Sequence, residues 1–407
     1  MCFRTRDRRW QRRVGAGIAT LVLAGGVVAP AASAEPRLPT MPVGTFDYTV
    51  NVNKPDGSAA RVFYTTGQAA AVPFVINQPG LDQIGQANII ADKSGKIVYR
   101  YTPPRGQSVA NFRTQIYQGR KVLTWWQGTG AAGHGAGVDY IADINGHVIK
   151  TVTPGDGLHS DVHEFRLTPD GRALITSYVP VKADLTSVGG PRDGVMLDCV
   201  AAVVDVATNR VLTHWSALEH IPVAASSSRP NGLGDIVRGS EYDPYHMNSI
   251  ALGSDGDLLI SFRNLNAIYD VDMATGKIRW RLGGKHPDFA MGPGTSMFGQ
   301  HDAEFADAST VRFFDNNIDV YNQQGESAIK WIRIDPRKHT AILVRAQHHP
   351  ADIASAAMGN AQALPRGFTA GSWGMAPHIS EFSPTGKLVY DATLPVGTYR
   401  AYMDTWP

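Results

Sequence analysis

Ile268-Tyr269-Asp270-Val271-Asp272-Met273-Ala274-Thr275-Gly276-Lys277-Ile278-Arg279-Trp280 reads as one β-hairpin: an apolar strand, a short polar turn, and a second apolar strand. β-branched and aromatic residues flank the turn, and Thr275-Gly276 supplies its chemistry. Residues 89–99, 140–149, 203–212, 332–344 and 379–390 repeat the pattern at intervals of roughly 50 to 65 residues. A second hairpin type precedes several copies. Residues 163–178 turn at Asp170-Gly171, residues 246–263 at Ser254-Asp255-Gly256, and residues 301–315 near Asp307-Ala308. Two hairpins per repeat make a four-stranded sheet, and sheets recurring at this period are propeller blades. Six copies predict an all-β protein, a six-bladed β-propeller with four-stranded blades. A packed pair of sheets is the alternative, but it does not explain six copies of one hairpin.

The propeller is expected over residues 76–407. Residues 35–75 fit the repeat less well, as an N-terminal strand segment that either closes the last blade or forms a small separate pair. Residues 1–34 read as a signal peptide: six arginines, an apolar run over 14–28, and Ala32-Ser33-Ala34 as a cleavage pattern. The run is too short and too rich in Gly and Ala for a comfortable membrane span. An uncleaved anchor is the alternative reading. Arg8-Arg9 and Arg12-Arg13 leave the Sec and twin-arginine routes both open. The expectation is a secreted, extracytoplasmic protein with no stable membrane span after cleavage.

Removing the leader takes away six arginines and Asp7, so the formal charge of +2 becomes −3. No dense Lys/Arg cluster remains, which argues against nucleic acid as a partner. Cys2 leaves with the leader and Cys199 stays alone, so no intramolecular disulfide is possible in the mature chain. Its apolar neighbours make Cys199 a core thiol.

Hairpin arithmetic then places the polar residues. His246 lies nine residues before Asp255 and Arg263 eight after it, so the two face each other at the open end of the hairpin. Asn248, two residues on, shares the face of His246. The same counting sets His163 opposite Tyr178, and His301 opposite Asp315. Three blades thus offer a histidine at one end of the innermost strand, where a propeller opens onto its channel. An isolated histidine there is usually structural; three in register with an arginine and an asparagine point to a site. Asp302 follows His301 and faces the other way on a strand, so it fits a structural role in the neighbouring blade.

The histidines are 83 and 55 residues apart, with no His-x-His or His-x-x-x-His pair among them. Arg263 would oppose a divalent cation. The expectation is no metal and no cofactor. Three histidines, an arginine and an asparagine suit transfer of a tetrahedral oxyanion group. Cationic and hydrogen-bonding groups stabilise charge on its equatorial oxygens, and a neutral imidazole can attack the central atom.

Three motifs carry a family resemblance. The first is His163-Glu164-Phe165 with Thr168-Pro169-Asp170-Gly171. The second is Tyr245-His246-Met247-Asn248-Ser249 with Ile260-Ser261-Phe262-Arg263. The third is Trp280-Arg281-Leu282-Gly283-Gly284, then Gln300-His301-Asp302-Ala303, then Phe313-Phe314-Asp315-Asn316. In this order they resemble the bacterial arylsulfotransferases that use an aryl sulfate donor and need no nucleotide sulfate donor. The resemblance spans about residues 75 to 400. It implies a six-bladed propeller and a ping-pong reaction through a sulfated histidine, with His301 as nucleophile. His163, His246, Asn248 and Arg263 would bind the sulfuryl oxygens, and one of the histidines would protonate the departing phenoxide. The implied partners are a small-molecule aryl sulfate donor and a phenolic acceptor. Trp125, Trp126 and Trp373 are candidates for an aryl-binding wall, with blade core as the other reading. Well-known members carry an extra N-terminal domain. Only about 40 residues precede the first blade here, which leaves the oligomeric state open. A hydrolase is the near neighbour. A secreted, non-catalytic propeller that binds a small ligand or protein partner is the alternative from another class. A quinone-dependent dehydrogenase lacks its tryptophan repeats and calcium-ligating carboxylates here.

Overall fold

The computed structural model describes residues 48–58, 60–66, 86–131, 133–230, 241–253, 255–319 and 322–406. The expected signal peptide at 1–34, and the parts of 35–75 before 48, at 59 and after 66, lie outside them. Among the described residues no helix is long and apolar enough to cross a membrane.

Six blades, each built on four antiparallel strands, follow one another, with Ala290–Met291 added as a short parallel edge strand on blade five, and the protein is a six-bladed β-propeller. Blade two runs Ser108–Tyr117, Arg120–Ala131, His134–Ala142 and Val148–Val152. Blade three runs Phe165–Leu167, Arg172–Ala183, Gly194–Asp205 and Arg210–Ser216. Blade four runs Met247–Leu252, Leu258–Phe262, Ala267–Val271 and Ile278–Gly283. Blade five holds His301–Asp307, Thr310–Asp315, Ala328–Asp335 and Thr340–His348. Blade six holds Asn360–Ala363, Thr369–Ser372, His378–Phe382 and Leu388–Thr393. Blade one is built from both ends of the chain. Its first strand is Ala401–Asp404, which pairs with Arg61–Thr66, Arg61 opposite Asp404, and Ala87–Ala91 and Ile97–Tyr101 complete it. Each blade packs on the next, and blade one on blade six; the pairing of Ala401–Asp404 with Arg61–Thr66 inside blade one shuts the ring by main-chain hydrogen bonds.

All six predicted hairpins form the outer halves of the blades. In the turn of blade four, Asp272 accepts from the N–H groups of Ala274 and Thr275, and Gly276 takes φ 70°. That region is open to glycine at little cost, and the aspartate replaces the ladder bonds the turn gives up. Within the 35–75 segment, Thr49–Asn53 adds a fifth strand to the outer edge of blade six, whereas Arg61–Thr66 belongs to blade one.

The core is distributed between blades. One apolar cluster lies at each of the six blade contacts, such as Leu259, Ile268, Val311, Phe313 and Ile332 between blades four and five. This explains the strand patterns. Leu258–Phe262 and Ala267–Val271 are buried at every residue because a neighbour covers each face, so they read as unbroken apolar runs. Arg210–Ser216 begins with strict alternation because it lies at the rim. Each fully buried Val, Leu, Ile or Phe contributes roughly 1.5–3 kcal/mol.

Trp125, Trp126 and Trp373 are at most 1% exposed. Trp125 stacks on Tyr140, Trp126 Nε1 donates to the Ser160 carbonyl, and Trp373 Nε1 donates to Ser380 Oγ. They are blade core, and the aryl-wall reading falls with that. Cys199 is buried, and burial pushes its thiol well above the ordinary value.

Candidate active site

The three histidines and Arg263 converge. The rings of His163 and His246 lie 5.0 Å apart between centroids. Tyr399, in the segment that enters blade one, meets His163 at 5.4 Å and His301 at 6.3 Å, edge-on in both cases. Arg263, His246 and His163 are all close enough to act electrostatically on His301.

The predicted cross-strand partners hold once and fail twice. The Arg263 N–H donates to the His246 carbonyl at 3.0 Å, so those two do close the hairpin of blade four. His301 pairs with Phe314, not Asp315. A register shift between His301 and Glu304, with Asp302 at φ 54°, moves the count by one. His163 precedes its strand, and Tyr178 pairs with Cys199 in the ladder. The Tyr178 ring nevertheless stacks on His163 at 5.5 Å.

Each imidazole is fixed through Nδ1. Asn316 Nδ2 donates to the carbonyls of Ser355 (3.0 Å) and Met358 (2.9 Å), which turns its Oδ1 towards His301. His301 Nδ1 lies 2.7 Å from that oxygen. An oxygen facing Nδ1 requires the proton there, so the Nε2 lone pair is left free. Asp243 accepts from His246 twice, from the main-chain N–H at 2.8 Å and from Nδ1 at 2.5 Å. Asp161 serves His163 in the same two ways, through a short contact to Nδ1 and through the main-chain N–H. Burial pushes the Asp243 carboxyl up, but His246, its hydrogen bonds and His134 bring it below the ordinary range.

Burial, then the Arg263 guanidinium, hold His301 well below the ordinary imidazole value; the Asn316 bond opposes this, and His246 and His163 add to it. Burial likewise lowers His246 against the pull of Asp243. His301 is thus a neutral, buried imidazole with an unprotonated Nε2 among cationic and hydrogen-bonding groups. That is the arrangement of a nitrogen nucleophile for an anionic centre.

Asn248 is placed differently from its neighbours. Its Nδ2 donates to the Gln300 carbonyl at 2.7 Å, which clamps the residue before His301. Asn111 does the same for blade three, donating to the carbonyls of Val162 and His163. Inner-strand asparagines therefore fix the main chain of the following histidine.

A layer of buried charge adjoins the histidines. Each of three site residues is followed by one of its members: His163 by Glu164, His301 by Asp302, Tyr399 by Arg400. Glu164 pairs with Arg113 and Arg400 at 3.0 Å each. Asp302 lies 3.4 Å from Arg400 and accepts from the Ala361 N–H of blade six at 3.0 Å. This is the structural role expected for Asp302. Arg166 joins Glu304 at 2.5 Å. Burial pushes Glu304 up, yet Arg166 and Arg312 hold it down to about 2.

Sequence reasoning missed Asp161, Asp243, the anchoring role of Asn316, and Tyr399. The aspartates carried a local signal, at two and three residues before their histidines, in reach of both ring and main chain. Tyr399 carried none, because its place depends on ring closure.

One other cluster has metal-like composition, His349, His378 and Asp391. The Ala351 N–H donates to His349 Nδ1 at 3.1 Å, so the proton sits on Nε2, which faces Asp391 at 3.2 Å. A metal would need the lone pair that this tautomer lacks at Nε2. Asp391 also accepts from Asn51 and Ser380, and the cluster ties the added edge strand to blade six.

Several solved structures are similar over most of the chain. A Bacteroides caccae protein of unknown function matches at 11% identity, covering 85% of this chain and 99% of its own, with a TM-score of 0.48. A periplasmic gluconolactonase of Pseudomonas aeruginosa matches at 12%, covering 86% and 100%, with 0.45. An inactive virginiamycin B lyase of Staphylococcus aureus matches at 13%, covering 84% and 88%, with 0.39. Identities this low have no bearing on activity. No curated protein matches the chain. The family described as Arylsulfotransferase (ASST) matches residues 113–394, which include His163, His246, Asn248, Arg263 and His301. The chain belongs to the arylsulfotransferase (ASST) family.

Proposed function

We propose that the protein is an exported arylsulfotransferase that moves a sulfuryl group from a phenolic sulfate ester to a phenolic acceptor through a sulfated His301. The observation that carries this reading is the His301–Asn316 pair, which leaves Nε2 as an unprotonated nucleophile beside Arg263. In the first half-reaction Nε2 attacks sulfur, the S–N bond forms, and the S–O bond to the aryl group breaks with its electron pair. Arg263, His163 and His246 face the oxygens where charge is held, and the second Asn248 amide hydrogen serves the same group. The bound sulfate raises the nearby imidazoles towards protonation, so His246 or His163 can protonate a basic phenoxide. In the second half-reaction a phenol takes the sulfuryl group from His301. The leader at 1–34 supports export.

Incubation with 4-nitrophenyl sulfate tests this. The expected result is nitrophenol release and a sulfated peptide containing His301. His301→Ala with wild-type turnover would sink the mechanism. Product analysis with and without added phenol separates transfer from hydrolysis. Absence of turnover on several aryl sulfates would favour a ligand-binding propeller. Terminal sequencing of the exported protein tests cleavage after Ala34.

A further inference from the structure

Blade two carries a hairpin that reaches the site from outside the three histidine motifs. Its strands Arg120–Ala131 and His134–Ala142 stay paired out to Ala131 opposite His134. Glycine permits its course. A Cβ on Gly137 would lie 2.7 Å from the Trp126 indole, and one on Gly133, at φ 88°, would lie 3.3 Å from His246 Cε1. The hairpin therefore passes against His246 itself.

Two contacts fix it there. The Gly135 N–H donates to Asp161 Oδ2 at 2.7 Å, while the other oxygen of Asp161 holds His163 Nδ1. The Gly137 N–H donates to the Ser160 carbonyl at 2.9 Å. One carboxylate thus orients a site histidine and seats the main chain next to His134. The His134 ring stacks on Tyr178 at 5.4 Å with an interplanar angle of 13°, and Tyr178 also stacks on His163. His134 is close enough to Asp243 to influence its charge.

His163, His246 and His301 each spend Nδ1 on an anchor. His134 is partly exposed, and no hydrogen bond to its ring is recorded among the described residues. It is an imidazole with both nitrogens available, stacked on the Tyr178 ring that also stacks on His163, and in reach of solvent. We infer that His134 is the acceptor-side residue of this site: with Tyr178 it receives the phenolic acceptor, and it takes the phenol proton. This rests on the sulfuryl-transfer reading. In the step, the phenol oxygen attacks sulfur of sulfated His301, the S–O bond forms, and the S–N bond breaks with its pair returning to Nε2. The phenolic proton passes to His134 and from there, through solvent, replaces the proton that His246 or His163 gave to the departing phenoxide.

The test separates the half-reactions in the full-length protein. In wild type, 4-nitrophenyl sulfate gives a burst of nitrophenol, and turnover then depends on the acceptor. His134→Gln should keep the burst while losing tenfold or more of turnover with plain phenol, the scale of a lost proton acceptor (roughly 10²-fold or more when it acts alone). With a fluorinated phenol that is already ionised at the assay pH, the same variant should stay within about twofold of wild type, because no proton needs removing. His134→Asn should repeat the pattern. Equal loss with both acceptors, loss of the burst, or no loss with either would overturn the role of His134. A wild-type protein that gives no burst would overturn the sulfuryl-transfer reading instead.

Discussion

His301 and Asn316 form a fixed pair, Nδ1 to Oδ1 at 2.7 Å, and the amide that holds the imidazole is itself held by two carbonyls. The proton on His301 is therefore placed by the main chain of the loop at Ser355 and Met358. Asn316→Ala should leave the ring free to change tautomer. One lost hydrogen bond of about 1 kcal/mol corresponds to roughly a fivefold effect, and tautomer scrambling adds to it. We expect kcat for 4-nitrophenyl sulfate to fall at least tenfold with little change in KM. Unchanged kcat would show that Asn316 does not set the nucleophile.

The pH dependence has a definite sign. A nucleophilic imidazole works in its neutral form, which persists at all pH values above its pKa. Burial and Arg263 hold His301 well below the ordinary value. The acid limb of kcat/KM for the donor should therefore lie below the ordinary histidine range. Arg263→Ala removes a positive charge, favours protonated His301, and moves that limb upwards. It should also lower kcat by roughly 10²-fold, the scale of a lost oxyanion-stabilising donor. A limb that stays in place in Arg263→Ala would contradict this electrostatic account.

Asp243 fixes His246 through both its ring and its main chain. Asp243→Asn can keep one of those bonds but lacks the charge that favours protonated His246. The loss should therefore grow with the basicity of the leaving phenol: small for 4-nitrophenyl sulfate, tenfold or more for phenyl sulfate. Comparison of kcat/KM for the two donors measures it. An equal loss for both would assign Asp243 to shape alone.

Arg400 is a stability residue with a site address. It is 0% exposed, pairs with Glu164 at 3.0 Å, and donates to the Asn248 carbonyl at 2.7 Å. Arg400→Leu leaves Glu164 and Asp302 short of a counter-charge, and breaking a buried pair from one side costs about 3–5 kcal/mol. A marked fall in Tm is expected. Lysine would recover only part, because one ammonium cannot reach Glu164 and the carbonyl in the same geometry. Thermal melting of the two variants checks the order.

The repeat was legible because a hairpin is local. The run from Ile268 to Trp280 contains its own turn, and six such runs state the number of blades. The His246–Arg263 pairing was legible for the same reason. The His301 partner was not, since the left-handed Asp302 inserts a step that strand counting does not see. His163 stacks on Tyr178 although it is no strand neighbour, because side-chain packing and not ladder register brings them together.

By itself, the sequence determined six blades, three histidines, Arg263 and the resemblance of their motifs. Only the tertiary structure decided what surrounds them. Asn316 faces His301 because the loop between blades five and six supplies two carbonyls, Tyr399 arrives because the chain must return to close blade one, and His134 arrives on the hairpin of blade two. Contacts within a hairpin follow from spacing of two residues per repeat. Contacts between blades depend on closing the ring, which is fixed only when the last strand pairs with the first.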